Sequence, residues 1–453
     1  MAEVSVLLEF PTPQQEAFRA FAVAASSETE AVSQAESLLG PVAGLGVQLD
    51  REITPIPMFS TPREGEALRA LEAFATPETN ADVAAPTSVV AVRVDEARLA
   101  QLRDRPGVVV WPNSELSLVA EAVEVEAPDA AAGGVDCRPF KPAASIDEIR
   151  ELLGVSPLFN KDFRGRGVVV GIIDEGVNGD EYPVDDGFVR TGAPAPGSAP
   201  IASHGSMCAA DVLIAAPDAR LYDYPFLGQP RSGGALAMFQ AVLEHRRLDG
   251  TPHLTNNSYG FTGVPPKAQF PNHEVFDIDH PVHRKVREVI VSGAAAFFAA
   301  GNCGEACPSG NCQATGIGPG HSIHGSNSLV EVITIAAVNS RHERIGYSSQ
   351  GPGMFEPTKP DLAAYSHIFG NFGPGRPGGT EVPFDNGTSA ATPVAAGVGA
   401  LLLSARPDIT PAQLRDALIE GATPVGQPGW NADFGHGVLH AGSAFSALGT
   451  STA

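Results

Sequence analysis

The sequence predicts an α/β chain: a doubly wound, mostly parallel sheet preceded by a small α+β domain of ferredoxin-like element order. Three observations predict it. Beyond residue 145, short continuous apolar runs alternate with helical stretches, the pattern of parallel strands covered on both faces. Before residue 120, the order of signals is strand, helix, strand, strand, helix, strand. Between the two lies a stretch rich in Ala, Pro, Gly and acidic residues, the composition of a linker. The expected division is 1–120, a linker 121–144, and a second domain 145–453.

The elements follow in order. Val4, Val6 and Leu8 alternate as a strand. Val32, Ala35, Leu38 and Leu39 give a helical stripe that starts near Ser26 or Ser27 and stops at Gly40. A strand is expected around Val47 to Ile53, then an inserted helix from Arg63 to Phe74. SVVAVRV (88–94) is a strand; Asp95 caps a helix carrying Leu99 and Leu102, Pro106-Gly107 ends it, and Val108 to Trp111 returns as a strand. In the second domain the apolar segments are VVVGIID (168–174), VLIAAPDARLYDY (212–224), HLTNNSYG (253–260), AAAFFAAGN (294–302) and VITIAAV (332–338). No internal repeat is visible.

Composition narrows the partners. The 453 residues carry a formal charge of −23, which argues against nucleic acid or an anionic membrane surface. Positions 1–126 hold 20 acidic and 8 basic residues, so 12 of the 23 net charges sit in the first quarter of the chain. The opening MAEVSVLLEFPTPQQEAF has no basic n-region and no long apolar core, so a cytoplasmic location and no membrane span are expected. Five cysteines are an odd count, which excludes a fully paired framework.

Four residues carry candidate chemistry. Ser389 lies in FDNGTSAATPVAAGVGALLLS with only small neighbours at the head of an apolar helix, where it is either a helix cap or a nucleophile beside free N–H groups. Asp174 ends the strand GIID, His204 opens SHGSMCAADVLIA, and Asn302 ends FFAAGN. Alone, each reads as a turn former or a surface residue. Together, a carboxylate, an imidazole, an amide donor and a serine are the parts of a serine hydrolase site, in the chain order Asp, His, Asn, Ser.

These motifs, with NNSYG (256–260), NGTSAATP and the closing DFGHGVLHAGSAF (433–445), resemble the subtilisin-like serine proteases over roughly residues 145–448. The resemblance implies a subtilisin-like catalytic domain and an endopeptidase working through an acyl-enzyme. It implies that Ser389 attacks the peptide carbonyl, that His204 moves the proton, and that Asp174 orients the imidazole. Asn302 and the Ser389 N–H would bind the oxyanion. Ser258, Tyr259 and Gly260 would pair with a peptide or protein substrate as an added strand. SVVAVRVDEARLAQLRDRPGVVVWP resembles the second half of the family's propeptides, although the insertion around 60–85 departs from them. The implied role is a folding assistant and inhibitor, removed by cleavage within 112–144; a permanent accessory domain is the alternative. A catalytically silent peptide binder and an esterase are the other functional readings, the latter lacking its G-x-S-x-G elbow.

Departures from the family are few. Glu175 stands where Thr or Ser is usual and is expected to point to solvent. Cys208, four residues after His204, shares its helix face and resembles the cysteine beneath the active-site histidine of the proteinase K branch; a plain buried small residue is the alternative. Cys303, Cys307 and Cys312 in CGEACPSGNC are read as loop thiols, with a disulfide, or zinc held with His321 or His324, as alternatives; Cys137 is assigned no role. Calcium sites are common in the family, but no acidic loop here matches a calcium motif, so no cofactor is expected.

Overall fold

The computed structural model describes residues 3–12, 28–58, 86–118, 135–137, 144–190, 193–370, 385–426 and 428–450. The expected helix at 63–74 and most of the expected linker lie outside them. The chain forms two compact units: residues 1–115, 227–244 and 266–292, and residues 116–226, 245–265 and 293–453.

In the first unit, β1 (Glu3–Pro11), α1 (Glu28–Leu38), β2 (Gln48–Leu49), β3 (Ile56–Met58), β4 (Thr87–Asp95), α2 (Leu99–Arg103) and β5 (Val109–Pro112) follow the anticipated order, with β3 as an addition. The sheet runs β2-β4-β1-β5 with β3 also on β4, and every pairing is antiparallel. Alternation does the folding: Val6, Leu8 and Phe10 join Val90, Val92 and Val94 in one core with Ala35 and Leu102. Each such side chain contributes about 1.5–3 kcal/mol on burial. Asp95 caps the turn into α2, accepting from Ala97 N–H at 3.1 Å. The strand expected over 47–53 shrinks to two residues, because Asp50 Oδ1 takes the Glu52 N–H and turns the chain.

The unit also holds part of α3 (Ser232–Asp249) and all of α4 (Pro281–Val291). The segment after β5 serves the start of α3: Gly233 N–H donates to Asn113 Oδ1 at 2.7 Å and Ser232 N–H to Ser114 O at 3.0 Å. Beneath it Glu274, fully buried, accepts from Ser114 N–H (3.0 Å) and from the Ser114 and Ser232 hydroxyls (2.9 and 2.5 Å). His273, His280 and His283 crowd around this carboxylate; His283 Nε2 bonds Glu274 O at 2.7 Å and His280 Nε2 bonds Pro112 O at 3.1 Å. Across the sheet, Glu9 accepts from Trp111 Nε1 (2.7 Å) and Arg284 (2.6 Å).

The second unit is built on a mostly parallel sheet. Its strands are β6 (Ser117–Leu118), β7 (Val135–Asp136), β8 (Val169–Asp174), β9 (Val184–Gly187), β10 (Arg220–Pro225), β11 (Leu254–Asn257), β12 (Tyr259–Gly260), β13 (Ala295–Ala299), β14 (Ile333–Val338), β15 (Arg344–Ile345) and β16 (Leu362–Tyr365). The central order is β7-β15-β14-β13-β11-β8-β10-β9, with β16 on β14; β15 on β14 is the antiparallel exception. The segment VLIAAPDARLYDY, expected as one strand run, divides: Val212 to Ala215 end the helix α5 (His204–Ala215), and only Arg220–Pro225 is strand. Pro217 and Asp218 make the turn between them, with Asp218 N–H on Arg164 O. Strand β16 was not anticipated.

Through the core of this unit runs α6 (Thr388–Ala405), with Thr388 to Leu403 all buried. It is long and apolar enough to cross a membrane by composition, but its surroundings are protein: it packs on α5 and on β11, β13, β14 and β16. Gly397 permits the approach to α5, since a Cβ there would lie 2.3 Å from Val212 O.

Candidate active site

Two helix N-termini and two strand ends converge at the carboxyl edge of the parallel sheet, the usual place for a site in such a fold. Asp174 is the last residue of β8 and His204 the first of α5. Asp174 Oδ1 and Oδ2 lie 2.8 and 2.9 Å from His204 Nδ1, and both side chains are buried. An Nδ1–H facing a carboxylate fixes the tautomer and leaves Nε2 as the basic nitrogen. Burial opposes the charged imidazole, but the Asp174 carboxylate, with smaller contributions from Glu175 and Asp385, carries its pKa above the ordinary 6.5. Nε2 is buried and without a hydrogen bond among the described residues.

Ser389 is not the cap of its helix. Gly387, at φ 81°, holds that position, its N–H bonded to the Tyr347 hydroxyl at 2.8 Å. Thr388 and Ser389 are the first two helical residues, where backbone N–H groups have no partner within the helix. Pro393 lies four residues after Ser389 and has no N–H to return to the Ser389 carbonyl. That carbonyl is taken instead by the Ser258 hydroxyl at 3.2 Å and approached by Cys208 Sγ at 3.6 Å. Sγ also lies 3.7 Å from Asp174 Oδ2, so the buried thiol stands between carboxylate and serine backbone. Burial, then the Asp174 charge, push the thiol well above its usual pKa, so it stays protonated. The Ser389 hydroxyl donates to Ser258 O at 3.4 Å.

Asn302 follows β13. Its Oδ1 accepts from both the Thr388 N–H (2.9 Å) and the Thr388 hydroxyl (2.8 Å). Two donors on one side settle the amide orientation chemically, with Nδ2 as the opposite branch. Ser258, Tyr259 and Gly260 form the strand edge beside Ser389; Asn327 Nδ2 holds Tyr259 O at 2.8 Å. That edge pairs antiparallel with β6, Tyr259 opposite Leu118 and Gly260 opposite Ser117. A narrow pocket next to it is lined by Gly260, Asn302, Cys303, Cys312, His324 and Asn327, among others.

The loop-thiol reading is overturned in favour of its disulfide alternative, and Cys137 has a partner that was not expected. Cys303 and Cys312 form a disulfide, and Cys137 forms another with Cys307, so the loop holds no free thiols and no thiolates for zinc. Cys208 alone is unpaired. The second bridge spans 170 residues, a partner that local spacing does not reveal. Parallel pairing of β7 with β15 brings Cys137 to the loop. Glu175 is exposed, as expected, and in addition its Oε1 accepts the His204 N–H at 2.5 Å, a contact not anticipated.

The strand order and the convergence of these side chains define an α/β fold of the subtilisin type. Comparison with known proteins agrees, since residues 165–437 match the subtilase family. The chain is 27% identical to serine protease AprX of Bacillus subtilis over 57% of its own length and 61% of that protein. It is 33% identical to subtilisin of Bacillus pumilus over 35% of its length and 49% of that protein. The chain thus matches 49% to 61% of the length of these relatives. The structure resembles fervidolysin from Fervidobacterium pennivorans, a keratinolytic enzyme related to subtilisin, with a TM-score of 0.57 at 16% identity over 98% of this chain and 61% of that one. The chain belongs to the subtilase family.

Proposed function

We propose that this protein is a serine endopeptidase that cleaves peptide bonds through an acyl-enzyme on Ser389. The observation that carries the reading is the Asp174–His204 pair, bonded through Nδ1 to both carboxylate oxygens, whose Nε2 has no hydrogen-bond partner among the described residues, with Cys208 bridging Asp174 and the Ser389 carbonyl. In the resting arrangement the serine hydroxyl faces Ser258 O. A substrate strand pairing with this edge offers its own N–H to that carbonyl, and the hydroxyl then turns to His204 Nε2. His204 takes the proton as Ser389 Oγ attacks the carbonyl carbon, Asp174 stabilises the imidazolium, and the proton passes to the leaving amine. Asn302 Nδ2 and the Ser389 N–H receive the oxyanion.

The N-terminal domain is proposed to act as folding assistant and inhibitor. Support comes from β6, which follows that domain in the chain and already occupies the Tyr259–Gly260 edge as an antiparallel strand. The pair of disulfides favours an oxidising compartment over the cytoplasmic residence the opening residues suggest.

The test is fluorophosphonate labelling with intact mass, on wild type and Ser389→Ala. A label on wild type alone, with loss of an N-terminal fragment on incubation, is the expected outcome. A wild type that stays unlabelled even after an added protease has removed the N-terminal fragment would favour the silent peptide binder instead. Turnover of esters with no turnover of peptides would favour the esterase.

A further inference from the structure

We infer that Glu175 is a positioning residue for His204, locking the backbone of the base and adding a second carboxylate to its surroundings. The inference rests on the reading of Asp174, His204 and Ser389 as a protease site. A single residue reaches both members of the pair. Its backbone N–H donates to Asp174 Oδ1 at 2.8 Å, and its side-chain Oε1 accepts the His204 N–H at 2.5 Å.

The helix start explains why this contact matters. The cap residue Ser203 uses its hydroxyl on Ser206 N–H (3.1 Å) and Gly176 O (2.8 Å). His204 is the first residue of α5, so its N–H has no acceptor within the helix. Glu175 supplies that acceptor as a carboxylate, which the positive end of the helix favours. With Asp174 on Nδ1 and Glu175 on the main-chain N–H, His204 is gripped at both ends, from adjacent positions of one tight turn. Gly176 allows that turn: its φ is 112°, and a Cβ on Gly205 would lie 2.4 Å from Gly176 O. Thr or Ser at 175, the usual residues of the family, would bring neither the charge nor the reach.

Charge strengthens the effect. The groups acting on the imidazole are Asp174 at the end of β8, Glu175 in the following turn and Asp385 ahead of α6, while Cys208 on its own helix stays neutral. Asp174 contributes more than Glu175, and Glu175 more than Asp385. Glu175 is the exposed member of the three, so its share is screened by solvent.

The experiment compares wild type, Glu175→Gln and Glu175→Ala, reading kcat and KM from pH 5 to 9 and the His204 ring titration by NMR. Gln keeps an acceptor for the His204 N–H and removes the charge; Ala removes both. For Glu175→Gln the ring titration and the acid limb of kcat/KM move together to lower pH, by a shift equivalent to about two- to threefold in the proton equilibrium. For Glu175→Ala, kcat falls further, about tenfold, with KM unchanged, as expected for a lost hydrogen bond to a buried N–H. An unmoved ring titration in Glu175→Gln, or a loss confined to KM, overturns the inference, the latter making Glu175 a substrate contact. If wild type neither turns over nor labels, the protease reading fails by itself, while the ring titration still decides whether Glu175 acts on His204.

Discussion

Acid should loosen the first unit, and His283 is the residue that makes this measurable. Burial, then the neighbouring His280 charge, lower its pKa from 6.5 to about 3 in the folded chain. Arg287 adds to this, and the Glu274 carbonyl and carboxylate oppose it. The sign follows directly. Below pH 6.5 the unfolded chain takes up a proton that the folded unit refuses, so stability is complete above 6.5 and declines as pH falls toward 3. Glu274 acts in a lower window. Burial raises its pKa, but His280, His273 and the bonds from Ser232 and Ser114 outweigh this and hold it at about 2 against an ordinary 4.5. Its contribution is therefore intact above 4.5 and lost as pH falls through the interval to 2. Among the described residues of this unit, the histidines carry the interval between pH 6.5 and 4.5. One full proton of difference costs about 1.4 kcal/mol per pH unit, and the unfolded imidazole is half protonated at pH 6.5, so His283 alone gives about 2 kcal/mol over that interval, roughly fiftyfold in the opening equilibrium. Amide hydrogen exchange of Val6 to Phe10, corrected for intrinsic rates at pH 6.5 and 4.5, reads that equilibrium. His283→Gln retains a side-chain N–H for Glu274 O and cannot titrate, so it should lose much less protection. Equal losses in wild type and variant would refute the reasoning.

Further expectations concern the candidate site. Asn302→Leu should lower kcat roughly 10²- to 10³-fold with little change in KM, a magnitude established on subtilisin itself; an unchanged kcat would remove Asn302 from the oxyanion site. A mercurial should lower activity by displacing the thiol proton of Cys208 against Asp174 and the Ser389 backbone, and Cys208→Ala should abolish that sensitivity. Inhibition that persists in Cys208→Ala would place the mercury elsewhere.

What the sequence made legible was whatever is local or periodic. Thr87–Asp95 alternates, Asp95 offers its oxygen two residues ahead, and Ile333–Val338 is a continuous apolar run, so each was readable from neighbours alone. The candidate site was legible because Asp174, His204, Asn302 and Ser389 each sit in a short motif, and the structure brings Asp174 onto His204 and Asn302 onto Thr388 beside Ser389. Val212 to Ala215 misled because a fully buried helix end and a buried strand have the same apolar composition. The cysteine pairing was hidden because Cys137 and Cys307 meet only through the β7–β15 ladder. Glu274 was hidden for a related reason: its partners Ser114 and Ser232 lie 160 and 42 residues away. The exposure of Glu175 was read correctly but its bond to His204 was missed, because exposure and engagement are separate properties and a long side chain can lie in solvent while its last atom is committed.

The Cys137–Cys307 bridge turns the position of any backbone cut into a matter of bookkeeping with two results. A nick upstream of Cys137 leaves the preceding chain without any covalent tie, held by packing and hydrogen bonds alone. A nick between Cys137 and Ala144 severs the backbone yet leaves everything before it moored to the loop beside Asn302, separable only after reduction. The cystine thus draws a line across the connecting stretch: liberation is possible on one side of it, and only a two-chain form on the other.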